Sequence, residues 1–199
     1  MKSNKLSTKK MAILSLMAAL SYIGFTFLRI DIPIGGSSTA IHFGNTFCVL
    51  AALLLGGLHG GLAGAIGLSI ADLTIPIYAI YAPQTFLLKL IIGLITGLFA
   101  HKIFKITKIE DNKKLMRNVV LSASFAMFGN VLFDPIVSYL YKRFILGIDA
   151  DIARIFATWT AGATFINAIS SIIFASLLYL AIRKAIKNKN FFSKLLHGE

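Results

Sequence analysis

The stretch that decides the fold is TAGATFINAISSIIFASLLYLAIRK, Thr160 to Lys184, which carries no charged side chain before Arg183. As a helix at 1.5 Å per residue it would be roughly 37 Å long. That exceeds the ~30 Å of hydrocarbon in a bilayer. Water is absent there, so backbone N–H and C=O groups must pair within the segment, and a helix does this while an open strand does not. Five further apolar runs lie upstream, at about 10–28, 42–56, 59–75, 84–104 and 116–141. Composition agrees, with 57% hydrophobic and 14% charged residues against roughly 25% charged in a soluble domain. The expected fold is an all-α integral membrane protein of six transmembrane helices, one domain over residues 1–199 with no soluble domain between spans. The first run follows Lys2, Lys5, Lys9 and Lys10 as a signal peptide's would. It is longer than an h-region and lacks a small-residue cleavage site, so it is read as a retained span.

Orientation follows from where the cations fall. The N-terminal tail holds Lys2, Lys5, Lys9 and Lys10, and the 101–117 connection holds Lys102, Lys105, Lys108, Lys113, Lys114 and Arg117. The C-terminal end adds Arg183, Lys184, Lys187, Lys189 and Lys194. The opposite side has Arg29, Lys89, Lys142, Arg143 and Arg154. Fifteen against five places both termini in the cytoplasm of a multi-pass cell membrane protein, expected in a bacterial plasma membrane. A net charge of +12 is then a topology signal and implies no nucleic-acid partner. The single cysteine, Cys48, lies within an apolar run and rules out a disulfide framework. Among the outer connections, 29–41 reads as a turn-rich segment long enough to fold over an opening. Residues 76–83, with Tyr78 and Tyr81, resemble an interfacial aromatic belt, and 142–158 suggest a short interfacial helix.

With each span oriented, polar residues gather in the outer half. Span two enters with His42 and Asn45, and span three ends with Asp72. Span four enters with Gln84 and Lys89, span five rises through Asn130 to Asp134-Pro135, and span six enters with Trp159, Thr160 and Asn167. A charge in hydrocarbon costs about 2.5–3.5 kcal/mol even on the lenient insertion scale, so such groups face protein or water. Five spans converging on one level indicate an outward-facing polar pocket. Its Asp, Lys and Asn groups, with aromatics such as Phe43, Phe86 and Tyr139, suit a small, flat, hydrogen-bonding molecule. Structural readings stand beside this one: the asparagines as interhelical glue, Asp72 and Lys89 as a mutual ion pair, Trp159 and His42 as interfacial residues. Small residues line the inner half, including Ser15 and Ala19 of span one and the Gly57, Gly60, Gly61, Gly64, Gly67, Gly93 and Gly97 set, where helices can approach closely.

No G-x-x-x-x-G-K-[ST] phosphate loop, H-E-x-x-H pair, Cys/His cluster or G-x-S-x-G elbow occurs. No enzyme, cofactor or metal site is therefore expected. The motifs that remain fall in a definite order along the chain. They are the Ala/Ser-rich start of span one, His42-Phe43-Gly44-Asn45, Leu55-Gly56-Gly57 through Gly60-Gly61, and Ala71-Asp72-Leu73. Tyr81-Ala82-Pro83-Gln84-Thr85-Phe86 leading to Lys89, Gly129-Asn130 with Asp134, and the Asn167 span complete the set. In that order they resemble the substrate-binding S component of energy-coupling factor (ECF) vitamin transporters, and are most similar to the branch with riboflavin, hydroxymethylpyrimidine and pyridoxine-type members.

That resemblance implies a six-helix domain that captures a vitamin at the outer face. Its partners would be a transmembrane coupling protein and two cytoplasmic ATPases that drive uptake. His42, Asn45, Asp72, Gln84, Lys89, Asn130, Asp134, Trp159 and Asn167 become the expected substrate-binding set. Ala12, Ser15 and Ala19 become the expected contact with the coupling protein, with Ser15-x-x-x-Ala19 standing where the family often has Ala-x-x-x-Ala. Two other classes stay open: an intramembrane aspartyl-type enzyme using Asp72 and Asp134, and a stand-alone proton-coupled carrier.

Overall fold

A computed structural model of the chain describes residues 7–34, 37–186, 191 and 194. Lys2, Lys5, Lys187, Lys189 and the Gly35-Gly36 pair fall outside the described residues. Helix α1 runs Thr8–Thr26, its first turn capped by the Ser7 hydroxyl, which accepts from the Lys10 N–H. Strands β1 (Arg29–Ile34) and β2 (Ser37–His42) then pair antiparallel, with Arg29 opposite His42 and Ile34 opposite Ser37.

This hairpin replaces the turn-rich segment expected over 29–41. Ile30, Ile32 and Ile34 alternate with Arg29, Asp31 and Pro33, the period of a strand. Pro33 is tolerated because β1 lies at a sheet edge.

Helices α2 (Gly44–Leu55) and α3 (Gly57–Thr74) meet at Gly56, whose φ of +84° lets the chain reverse in a single residue. Helix α4 (Ala82–Gly97) carries Pro83 in its first turn, where the missing N–H costs nothing, and runs on into a π-helical turn over Leu98–Ile103. Helix α5 (Asn112–Leu140) is capped by Asp111, contains Pro135, and also ends in a π-helical turn, Tyr141–Ile145. Helix α6 (Ala150–Ala185) is capped by Asp149, whose carboxylate accepts from the Asp151 and Ile152 N–H groups. Those amides hold the exposed Asp149 carboxyl below the usual range. No separate interfacial helix forms over 142–158. The first part continues α5, and 150–158 is the opening of α6, because nothing between Ala150 and Thr160 breaks the helix.

Helix α2 sits centrally, packed against α1, α3, α4 and α6. Eleven of its twelve residues are buried. At about 18 Å it is shorter than a bilayer's hydrocarbon, and β2 lies above its start, against α6. The long α4, α5 and α6 segments are long and apolar enough to cross a membrane. Small residues let the helices close. A Cβ on Gly60 would strike the Ala52 backbone, and one on Gly93 would strike the Gly61 backbone. Many large apolar side chains point outward, among them Phe27, Leu73, Phe128, Phe165 and Leu177. In water such a surface would aggregate; facing acyl chains it is the stable arrangement.

Candidate functional site

Five helix ends meet beneath the hairpin, since α2, α4 and α6 begin where α3 and α5 finish. Between them lies a cavity of about 680 Å³, part of it open to solvent. Asn45 enters from the first turn of α2, Asp72 from the last turn of α3, and Gln84, Thr85 and Lys89 from the start of α4. Asp134, Ser138 and Lys142 come from α5, at the i, i+4, i+8 spacing that keeps them on one face. Thr160, Thr164 and Asn167 come from α6, and β2 closes the top with Ser38, Ala40 and His42. Phe25, Tyr78 and Tyr81 supply aromatic walls.

The polar groups divide into those already satisfied and those left open. Asn45 Oδ1, Asp72 Oδ2 and Gln84 Oε1 are buried and accept no hydrogen bond from the protein. Left dry, each unmade bond costs roughly 1–3 kcal/mol, so three in one cavity mark a place built to receive donors. Asp134 is partly committed, with Oδ2 accepting from the Thr164 hydroxyl at 2.9 Å. No ion pair joins Asp72 and Lys89 among the described residues, although Lys89 acts on Asp72 electrostatically. The mutual ion pair, the structural alternative for these two residues, does not form among the described residues, and both side chains line the cavity.

His42 Nδ1 accepts from the Gly44 N–H at 3.1 Å. That bond leaves the ring proton on Nε2, making His42 a donor. Its ring meets Phe25 edge to face at 4.7 Å. Tyr78 donates its hydroxyl to Asp31 at 2.8 Å, and burial, the largest influence, pushes its phenol upward so that it stays protonated. Arg29 completes this outer knot, with Nε 2.9 Å from Asp31 and its guanidinium over the Phe25 and Tyr78 rings.

Two expected site residues stand apart. Trp159 is 52% exposed on the outer side of α6 and does not line the cavity. It neighbours Thr160, but one residue turns a helix by about 100°, which sends the indole outward. Asn130 is buried, lies one turn below Asp134, and does not reach the lining; neither atom of its amide has a protein partner.

Lys142, by sequence one of the few cations of the outer side, is 5% exposed and lines the cavity. Its ammonium donates to Ser138 Oγ at 2.9 Å and lies over the Tyr81 ring at 4.2 Å and the Phe156 ring at 5.2 Å. The spacing from Asp134 was the available signal. Tyr78 and Tyr81, read as an interfacial belt, are buried walls of the same cavity.

Comparison with known proteins gives three findings. The family model for the S component of the ECF-type riboflavin transporter matches residues 5–184. A protein of Pyrococcus woesei, described as an uncharacterized protein in a gap 3′ region, is 36% identical over 111 residues, covering 55% of this chain and 72% of that one. The solved S-component for biotin from an ECF-type ABC transporter superposes with a TM-score of 0.58 at 22% identity, over 92% of this chain and 95% of that chain. At that identity the likeness is one of fold.

Proposed function

Because this chain belongs to the ECF-type riboflavin transporter S component family, we infer that its cavity captures a flat, donor-rich vitamin for ATP-driven uptake. The chain is a membrane-embedded, substrate-specific subunit of an ECF transporter and not an enzyme. The observation that carries the ligand reading is the trio of open acceptors, Asn45 Oδ1, Asp72 Oδ2 and Gln84 Oε1. They call for N–H or O–H groups on the ligand. Riboflavin, hydroxymethylpyrimidine and pyridoxine all combine such donors with an aromatic ring, and the Phe25, Tyr78 and Tyr81 rings suit that ring. Lys89, Lys142 and the His42 Nε2–H supply donors for ligand oxygens. Asp134 joins them as a ligand contact, and Asn130 supports it from one turn below.

The cavity in this reading opens outward. The basic 101–117 connection joins the far end of α4 to the start of α5, opposite the hairpin, so the cation-rich side is the cytoplasmic one. Both termini then lie inside, and the chain crosses six times as one domain, with the hairpin covering the depth that α2 leaves. S components work with an ECF module. Ala12, Ser15 and Ala19 are all exposed on α1 and form a small-residue face suited to close packing against the coupling protein, which two ATPases drive.

Reconstitution tests the assignment. The purified subunit in liposomes should bind labelled riboflavin, hydroxymethylpyrimidine or pyridoxine, and should accumulate it only when the ECF module and ATP are added. Accumulation by the subunit alone, driven by a proton gradient, would make it a stand-alone carrier. Lys142→Met removes one of the two ammonium groups while keeping length and apolar contact with Tyr81 and Phe156. A charged hydrogen bond is worth about 1.5–3 kcal/mol, so affinity by calorimetry should fall roughly tenfold or more. An unchanged affinity would confine Lys142 to holding Ser138 and the aromatic wall.

A further inference from the structure

Asn167 is buried at the inner end of the cavity-lining stripe of α6, below Thr160 and Thr164, and its carboxamide is already engaged. Oδ1 accepts from the His42 N–H at 2.8 Å, and Nδ2 donates to the Ala40 carbonyl at 2.9 Å. Residues two apart in a strand present N–H and C=O on the same edge. Ala40 and His42 therefore offer one acceptor and one donor side by side, spaced for the N–H and C=O of a single residue on a neighbouring parallel strand. A side-chain carboxamide has the same pair of functions as a peptide group. Asn167 thus pairs with β2 as a third strand would, from a helix, across 125 and 127 positions of sequence.

We propose that Asn167 is a positioning residue: by pairing with both Ala40 and His42 it pins the β2 wall to α6 and sets His42 in the geometry from which it meets the ligand. The rest of the hairpin is held elsewhere. Phe43 N–H bonds the Gly24 and Leu28 carbonyls at the end of α1, and Asp31 is tied to Tyr78 and Arg29. Between those anchors, Asn167 holds β2 against α6 with two side-chain bonds. His42 inherits its setting through its own backbone, with Nδ1 fixed on Gly44 N–H. One N–H and one lone pair of the carboxamide remain, so a ligand contact by Asn167 is secondary to the clamp. That the clamp governs binding rests on the proposed function; the clamp itself does not.

The two parts are read separately. Hydrogen exchange on the ligand-free, full-length protein in nanodiscs, comparing wild type with Asn167→Leu, tests the clamp. Exchange of the 38–42 amides should rise at least about tenfold, since two ordinary hydrogen bonds are lost, while α3 and α4 amides stay protected. Asn167→Asp keeps the acceptor for His42 N–H and loses the donor to Ala40, so it should fall between the two and serves should the leucine variant not fold. Stopped-flow binding of riboflavin, hydroxymethylpyrimidine or pyridoxine, whichever the wild type takes, tests the consequence: dissociation should quicken roughly tenfold with association little changed. Loss of binding with unchanged 38–42 exchange would overturn the proposal and make Asn167 a direct ligand contact. Unchanged exchange together with unchanged kinetics would overturn it as well.

Discussion

Replacing Asp72 by alanine is expected to cripple ligand capture, with affinity falling by at least about thirtyfold. Truncating one partner of a buried, charged hydrogen bond costs roughly 2–5 kcal/mol, and tenfold corresponds to about 1.4 kcal/mol. Asp72 is 3% exposed and its Oδ2 has no donor within the protein. Lys89, Asp134 and Arg29 act on it, so its removal also unbalances the charges of the cavity. No ion pair ties it to Lys89 among the described residues, but the substitution also removes a side-chain hydrogen bond with Thr85, so a small part of the loss should come from stability. Asp72→Asn separates charge from shape. It retains an acceptor oxygen at nearly the same place, and a neutral ligand donor should tolerate it better than alanine. Calorimetry on both variants, with a thermal melt of the ligand-free proteins, reads the two effects. Wild-type affinity in Asp72→Ala would return the residue to a structural role.

The largest effect on folding is expected at Gly93. A Cβ there would collide with the Gly61 backbone, and backbone cannot swing aside as a side-chain tip can. Overpacking a close-fitted interior costs about 1–3 kcal/mol when side chains absorb it; here α3 and α4 themselves must separate. Gly93→Val should therefore leave little monodisperse protein after solubilisation and gel filtration. Gly162 is the internal control, because nothing lies within 4 Å of a Cβ built on it. Gly162→Ala should fold at least as well as wild type, since alanine is favoured over glycine in a helix by up to about 1 kcal/mol. If Gly93→Val purified normally, the tight α3–α4 approach would not be what holds these helices together.

Much of the helical architecture is legible because lipid allows one kind of polar bookkeeping: long apolar runs must be helices, and α4, α5 and α6 follow directly. The hairpin is less so. Gly35-Gly36-Ser37-Ser38-Thr39 carries strong turn chemistry and hides the two-residue period of Ile30, Ile32 and Ile34. In the site, residues near helix ends were readable, since Asn45, Asp72, Gln84, Lys89 and Asp134 are polar where apolar residues are required. Lys142 is harder because a lysine at a span's end is ordinarily a snorkelling cation. It turns inward on the π-helical end of α5 to meet Ser138, Tyr81 and Phe156. Trp159 is the opposite case, a large aromatic next to a cavity residue whose ring the helix turns away from the cavity. The role of Asn167 was beyond reach from sequence, since its partners are the backbone atoms of a strand more than a hundred residues away.

The most direct test is to identify what the purified protein carries. Protein expressed in cells, extracted gently and denatured, should release a small aromatic compound bearing several N–H or O–H donors at close to one per chain, identified by mass spectrometry. The amount should collapse in Asp72→Ala. Release of no such compound, together with no binding when riboflavin, hydroxymethylpyrimidine and pyridoxine are each added back, would contradict the account.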